Sequence, residues 1–371
     1  FPMPNRPVTG NPSQLIVGQL AASGVKYVFY NSGSREAPFF DALHESAEVR
    51  GILALHEGTV TAMAGGYTQV RGDPAVMVVH LGAGLAQCLG QLINVWNGSL
   101  PVVVITFAGD TGSFADRIGL DLSHDVGPTS ISAPFTKANW TVIEPAGLPA
   151  AVDRALRVAK TPPVGPVHLA VYDRLLNRER VESEIIEGQV PDMRAGYPAD
   201  SDLEKLALAL HQAERPLIYV GDGVWKSGAE ERVTRLAERF GAAVACTVGD
   251  LRSVSIAHPL HCGRIQQAAD LLAPDLIVCI GVRHSGSGRP GDYAPFSAAR
   301  RVIALGSDVD NLTNMPGLEL ALLADERRSL ERLEQLVTSE YEPARYDRRR
   351  ERARAAAAAL RSGRRKRLGP P

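Results

Sequence analysis

Apolar residues along the first 170 positions fall into two alternating patterns. Short apolar runs at 52–55, 75–79 and 102–105 have the length of buried strands. The segments between them, 59–70 and 85–97, are longer, helical in character and rich in small residues. This alternation is a βαβαβ pattern and predicts a parallel sheet. Upstream, Asn11-Pro12 gives a helix start, cap then proline, for a helix over 11–23 that Gly24 ends. A strand over 25–30 follows, then the turn Asn31-Ser32-Gly33-Ser34 and a helix over 36–46. A helix over 148–159 and a strand over 167–171 close the first domain, set at 1–173. Its first ten residues hold three prolines and read as an arm.

Residues 174–199 are charged and proline-bearing and read as a linker. A second α/β pattern occupies 200–340, with helices over 202–212, 229–240, 266–272 and 327–337. Its strands fall at 216–220, 242–246, 276–280 and 302–305. Beyond, 341–371 is basic and alanine-rich. It reads as a helical tail with arginines on a solvated face and a frayed end. The predicted fold class is therefore α/β, with two doubly wound parallel-sheet domains, the second Rossmann-like.

Sites in open parallel sheets form at the carboxyl ends of strands. Glu57 follows the run at 52–55, His80 follows the run at 75–79, and Ser34 lies in the turn after the upstream strand. Taken singly, Glu57 reads better as an acid favoured by a helix start, and Ser34 could be a cap, although its place on the same rim as Glu57 and His80 favours a site role. The segment 107–137, with Gly, Asp, Ser and Thr throughout, is a long loop of the kind that carries function.

The composition narrows the classes. The 371 residues suffice for two or three domains with cores of their own. Forty basic and 41 acidic side chains nearly cancel, so no global field attracts nucleic acid. Cys88, Cys246, Cys262 and Cys279 show no CxxC spacing, which predicts reduced thiols in a cytoplasmic protein. No apolar run approaches the roughly 20 residues of a membrane span, and no secretory leader is read.

Five groups of residues carry a family resemblance. They are Leu55-His56-Glu57, Met63-Ala64-Gly65-Gly66-Tyr67, Gly82-Ala83-Gly84, Asn94-Val95-Trp96-Asn97 and Pro101-Val102-Val103. Together they resemble the pyrimidine-binding domain of thiamine-diphosphate enzymes of the benzoylformate decarboxylase and acetolactate synthase kind. Asn31-Ser32-Gly33-Ser34 and His80 bring the likeness nearest to benzoylformate decarboxylase. The resemblance implies that Glu57 meets N1′ of the cofactor's aminopyrimidine, that His80 handles protons on the substrate side, and that Ser34 meets the substrate carboxylate. Asn31, Gly33, Gly82, Gly84 and Gln87 then line the cofactor. His56, beside Glu57, reads as structural, and His124, His258, His261 and His284 as unremarkable loop histidines.

In this family the metal and the diphosphate are held by a Gly-Asp-Gly stretch with an asparagine downstream. Gly221-Asp222-Gly223 lies too early for that role. The cofactor implied is thiamine diphosphate with Mg²⁺, its metal and diphosphate ligands expected on a partner chain and no metal ligand expected here. FAD is a secondary option for the central domain, although the spacing of Gly221, Gly223 and Gly228 is not G-x-G-x-x-G. Gly286, Gly288 and Gly291 read as a plain loop. The function implied is a subunit of a split 2-oxo acid decarboxylase or carboligase. Its partner would be a second subunit carrying the diphosphate-binding domain, in a symmetric heterotetramer, with no nucleic acid and no membrane. The alternative is a non-catalytic regulatory or scaffolding homologue; a weaker third reading is a nucleotide-binding protein using 221–228.

Overall fold

The computed structural model describes residues 5–109, 127–177, 179–248, 250, 252–283, 293–337 and 343–368, with 343, 345 and 364–368 as backbone alone. The chain divides into two units, Phe1–Met193 and Arg194–Pro371.

Unit 1 runs β1 (Arg6–Gly10), α1 (Pro12–Ala22), β2 (Tyr27–Tyr30), α2 (Ala37–Glu45), β3 (Arg50–Leu53), α3 (Glu57–Arg71), β4 (Ala75–Val78) and α4 (Ala83–Asn97). It continues with β5 (Val102–Ala108), β6 (Ala138–Val142), α5 (Leu148–Lys160), β7 (Val167–Tyr172) and β8 (Val181–Ile185). Six of the strands form a parallel sheet in the order β3-β2-β4-β5-β7-β6. β4 and β5 are buried along their whole length, and alternate residues face opposite sides. Val76, Val78, Val103 and Ile105 pack with α1, α2 and α5. Met77, Val102 and Val104 pack with α3 and α4. Asn11 caps α1 in a reciprocal box with Gln14, and Gly72, at φ 72°, ends α3.

Two expectations for unit 1 differ from the structure. Residues 6–10, read as an arm, are β1, and they pair antiparallel with β8, which lies inside the segment read as a linker. Buried Gln19 of α1 pins the far end of this ribbon, bonding both the carbonyl (2.9 Å) and the N–H (2.8 Å) of Ile186. Both strands are short and mostly polar, so the sequence shows no apolar run there.

Unit 2 runs α6 (Asp200–Gln212), β9 (Pro216–Val220), α7 (Gly223–Ser227), α8 (Glu230–Phe240), β10 (Ala243–Cys246), β11 (His261–Arg264) and α9 (Ile265–Leu272). After these come β12 (Leu276–Ile280), α10 (Ala294–Ala298), β13 (Arg301–Gly306), α11 (Val309–Thr313), β14 (Leu318–Leu323), α12 (Glu326–Leu336) and α13 (Pro343–Leu368). Its parallel sheet has the order β11-β10-β9-β12-β13-β14. Both units are thus doubly wound α/β sheets.

The basic tail is α13, and its first half is docked rather than frayed. Tyr346, Ala353, Ala356 and Ala357 join the core of unit 2. Arg349, itself buried, donates to the carbonyls of Leu210 (3.0 Å), His211 (2.8 Å) and Phe240 (3.4 Å). These are last-turn carbonyls of α6 and α8, groups that no helix can satisfy internally. One guanidinium therefore closes the ends of two helices. Among the described residues, no helix is long and apolar enough to cross a membrane.

Candidate active site

In unit 1 the chain leaves β2 for β3 on one side and then crosses to β4 on the other. The loops after β2 and β4 therefore part, opening a crevice at the strand ends, where open α/β sheets bind their ligands. Residues 31–36 form one wall, and 79–82 with the start of α4 form the other.

Gly82 makes the second wall possible. Its φ of 79° and ψ of −111° are open to glycine alone, and they turn the chain abruptly from His80 into α4. Gly84 then allows a close approach. A Cβ there would lie 3.2 Å from the Cβ of His80 and 3.3 Å from Oε1 of Glu57. The carboxylate and the imidazole thus flank one glycine.

Glu57 is the first residue of α3, and His56 is the N-cap, its Nδ1 accepting from the N–H of Gly58 at 3.0 Å. His56 is structural, as its place beside Glu57 implies. The carbonyl of Glu57 accepts from Thr61 Oγ1 (3.1 Å) and Cys88 Sγ (3.5 Å). Burial, with the Glu57 charge adding to it, pushes the Cys88 thiol up to about 12, so it stays a neutral donor. The Glu57 carboxylate itself is half-buried, and no hydrogen bond to it is made among the described residues.

His80 is held by a residue the sequence reading missed. Its Nδ1 lies 2.9 Å from Oε1 and 3.2 Å from Oε2 of Glu36, whose side chain is fully buried. Oε2 of Glu36 also accepts from the N–H of Gly33 at 2.8 Å. A Cβ on Gly33 would fall 2.4 Å from Nδ1 of His80. Glu36 sits just before Ala37-Pro38, where an acid is ordinarily read as helix-start decoration. Its burial is the only sign of another role, and burial is not visible in sequence.

The remaining candidates are less engaged. Asn31 turns its Oδ1 back to the N–H of Ser32 (3.0 Å), and its own N–H joins Val78 (3.3 Å). Ser34 and Gln87 are exposed on the two walls, and among the described residues no hydrogen bond joins either to Glu57 or His80. His258 pairs with Glu238 (3.2 Å), and His261 accepts from the N–H of Gly263 (3.2 Å), both in unit 2. His124, His284, Gly286, Gly288, Gly291 and most of 107–137 lie outside the described residues.

Residues 11–121 match the thiamine pyrophosphate enzyme N-terminal TPP binding domain, and residues 203–333 match the thiamine pyrophosphate enzyme central domain. The chain belongs to the thiamine pyrophosphate enzyme family. It is 28% identical over 340 residues to the acetolactate synthase large subunit of Lactococcus lactis, covering 89% of this chain and 58% of that protein. It is 28% identical over 328 residues to the acetolactate synthase large subunit of Corynebacterium glutamicum, covering 86% of this chain and 52% of that one. The chain therefore spans little more than half the length of these relatives. The fold is similar to that of a Rhodococcus jostii thiamine diphosphate-dependent 4-hydroxybenzoylformate decarboxylase, with TM-score 0.78 and 24% identity over 90% of this chain and 63% of that one.

For this family the residues of unit 1 fit an aminopyrimidine: Glu57 offers an acceptor at the rim, and Gly84 clears the space beside it. Among the described residues, no three His, Cys, Asp or Glu side chains form a metal cluster. The described residues of unit 2 do not fit a flavin diphosphate at the turn after β9. The N–H groups of Gly221 and Gly223 are already taken by the carbonyls of Ile280 and Gly281, each at 3.0 Å. A Cβ on Gly221 would lie 2.3 Å from the Gly281 carbonyl, so the loops after β9 and β12 are in backbone contact. Asp222 fills the rim, with Arg283 at 2.8 Å and Lys226 at 2.5 Å, and buried Glu326 lies behind it. A phosphate needs free N–H donors here, and it would meet spent ones and two carboxyl groups.

Proposed function

We propose that unit 1 carries the aminopyrimidine half of a thiamine-diphosphate site in a 2-oxo acid decarboxylase or carboligase, and that a diphosphate-binding domain completes it. The observation that carries this reading is the Glu57 carboxylate, without a hydrogen bond among the described residues, set beside Gly84 with His80 on the glycine's other side. When bound, the cofactor supplies a nucleophilic thiazolium carbon, held with Mg²⁺ through its diphosphate. Glu57 holds a proton at N1′ of the aminopyrimidine, the contact that favours the imino tautomer. Gly82 and Gly84 admit the ring, and Asn31, Gly33 and Gln87 line the walls around it. His80 takes up and returns a proton at the substrate's reacting carbonyl, and Ser34, exposed on the facing wall, meets its carboxylate. The acetolactate synthase relatives and the decarboxylase fold neighbour support the 2-oxo acid class. The diphosphate-binding domain pairs with this chain in a symmetric assembly with two copies of each.

The test joins this chain to a polypeptide bearing a Gly-Asp-Gly…Asn domain, with thiamine diphosphate and Mg²⁺, and follows exchange of the thiazolium C2 proton. Glu57→Gln should slow exchange beyond the ~10²–10⁴ typical of one acid–base group. His80→Ala should leave exchange almost intact and slow turnover of the 2-oxo acid. Wild-type exchange in Glu57→Gln would leave Glu57 as a helix-start acid and refute the reading. An assembly that forms but neither exchanges the proton nor turns over a 2-oxo acid would favour the scaffolding homologue.

A further inference from the structure

The contact between Glu36 and His80 is more than a buried pair, because it decides which nitrogen of His80 can do chemistry. Glu36 is wholly enclosed, whereas 20% of the His80 side chain is exposed. The edge of the ring facing Glu36 is therefore the inner one. An ionised carboxylate only accepts hydrogen bonds. It already accepts the N–H of Gly33 through Oε2, and both its oxygens lie within 3.2 Å of Nδ1 of His80. This arrangement is satisfied when Nδ1 carries the hydrogen. In that tautomer Nε2 is the nitrogen that carries the ring's lone pair.

We propose that Glu36 is the positioning residue of this site, fixing His80 as the Nδ1–H tautomer with Nε2 as its proton-exchanging atom, and that Gly33 is glycine to admit that contact. The inference rests on the reading of His80 as a site residue. In a turnover, Nε2 takes one proton from the reacting group and the ring becomes an imidazolium. The Glu36 carboxylate offsets that charge without itself taking the proton, and Nε2 later returns it. The tautomer of a histidine is set by the bond its other nitrogen makes, so a carboxylate bound at Nδ1 does the selecting. Arg35, the next cation along the turn, lies 3.6 Å from Asp173, whereas Lys26 and Arg50 lie at the amino ends of β2 and β3, away from this crevice, and His44 is in the last turn of α2. Among the described residues, Glu36 is the acid bonded to His80.

Gly33 supplies an independent handle. It donates its N–H to the carboxylate, and any side chain there would overlap Nδ1 at 2.4 Å. A variant at Gly33 therefore disturbs the contact and leaves Glu36 in place.

The test is ¹⁵N NMR of the imidazole in the full chain labelled at histidine, which needs neither cofactor nor partner; His80→Gln assigns the signals. Wild type should show Nδ1 as the protonated nitrogen and Nε2 as the unprotonated one. Glu36→Gln, whose amide oxygen can still accept, should keep that tautomer. Glu36→Ala and Gly33→Ala should lose it. With the diphosphate-binding polypeptide and a 2-oxo acid, Glu36→Ala should lower kcat by about 100-fold or more with little change in KM, within the range of an acid–base group. A wild-type His80 protonated at Nε2 overturns the proposal, whether or not any variant folds. An Nδ1–H tautomer unchanged in a folded Glu36→Ala also overturns it. If the tautomer follows Glu36 as expected and no 2-oxo acid is turned over, the functional reading fails and the proton-exchange role of Nε2 with it, while Glu36 stands as the residue that sets the tautomer.

Discussion

Lowering the pH should weaken unit 1 through one buried ring, His168 on β7. Its Nε2 lies 2.7 Å from Thr106 Oγ1 on β5, and its Nδ1 lies 2.7 Å from Ser132 Oγ. Ser132 spends its hydroxyl proton on the carbonyl of Thr129 (3.1 Å), so it accepts from Nδ1–H, and Thr106 donates to Nε2. The neutral ring is thus satisfied on both sides, and a second ring proton has no ready acceptor. Burial accordingly pushes His168 down from 6.5 to about 3. At pH 7 the ring is neutral in the folded and the unfolded chain alike. Below 6.5 the unfolded chain takes a proton that the folded chain refuses, so stability is lost as the pH falls. The loss is about 1.4 kcal/mol per pH unit and totals roughly 5 kcal/mol by pH 3. Urea unfolding at stepped pH measures it. In a Trp225→Phe background the fluorescence comes from Trp96 and Trp140, both in unit 1. His168→Gln cannot titrate, so its stability should decline less steeply than wild type between pH 6 and 4, by about 1.4 kcal/mol per unit. Parallel declines for the two proteins would refute the buried neutral ring.

Two further outcomes follow from unit 2. Arg349→Leu strips the bonds to Leu210, His211 and Phe240 and leaves those carbonyls buried, so unit 2 should lose at least about 3 kcal/mol in urea unfolding followed by Trp225 fluorescence in a Trp96→Phe, Trp140→Phe background; an unchanged midpoint would remove Arg349 as the closing group of α6 and α8. The protein should purify without flavin absorbance, and calorimetry with FAD should show no heat, because the amides after β9 are already bonded; a yellow sample would mean that this turn opens.

The parts of the fold that rest on apolar periodicity were readable in the chain. β4, β5, β9 and β12 are fully buried strands, and each appears as an apolar run, interrupted in β5 only by Thr106. β1 is mostly exposed, and β8 and β14 alternate exposed with half-buried or buried residues, so they carry no such run and were not read. α13 was read as a helix, but its docking depends on an arginine meeting carbonyls more than a hundred residues away. At the site, Glu57, His80, Gly82 and Gly84 belong to family motifs that survive as short strings. Glu36 acts through burial and through a partner 44 residues distant, and a linear pattern records neither.

The β1–β8 ribbon sets an order of events during synthesis. Thr9 accepts from Arg180, 171 residues further along, and the whole of β1 finds its partner only in β8. At the usual 5–20 residues per second, β1 waits roughly 10–30 s on the ribosome before β8 exists. Through that interval its edge is unpaired, while the strands of the main sheet emerge and can pair behind it. β1 is five residues long and carries Arg6 and Pro7, which suit a strand that must not find another partner first. The ribbon thus works as a late clasp, and a shortened chain lacking 181–185 would keep the six-stranded sheet with β1 left as a loose end.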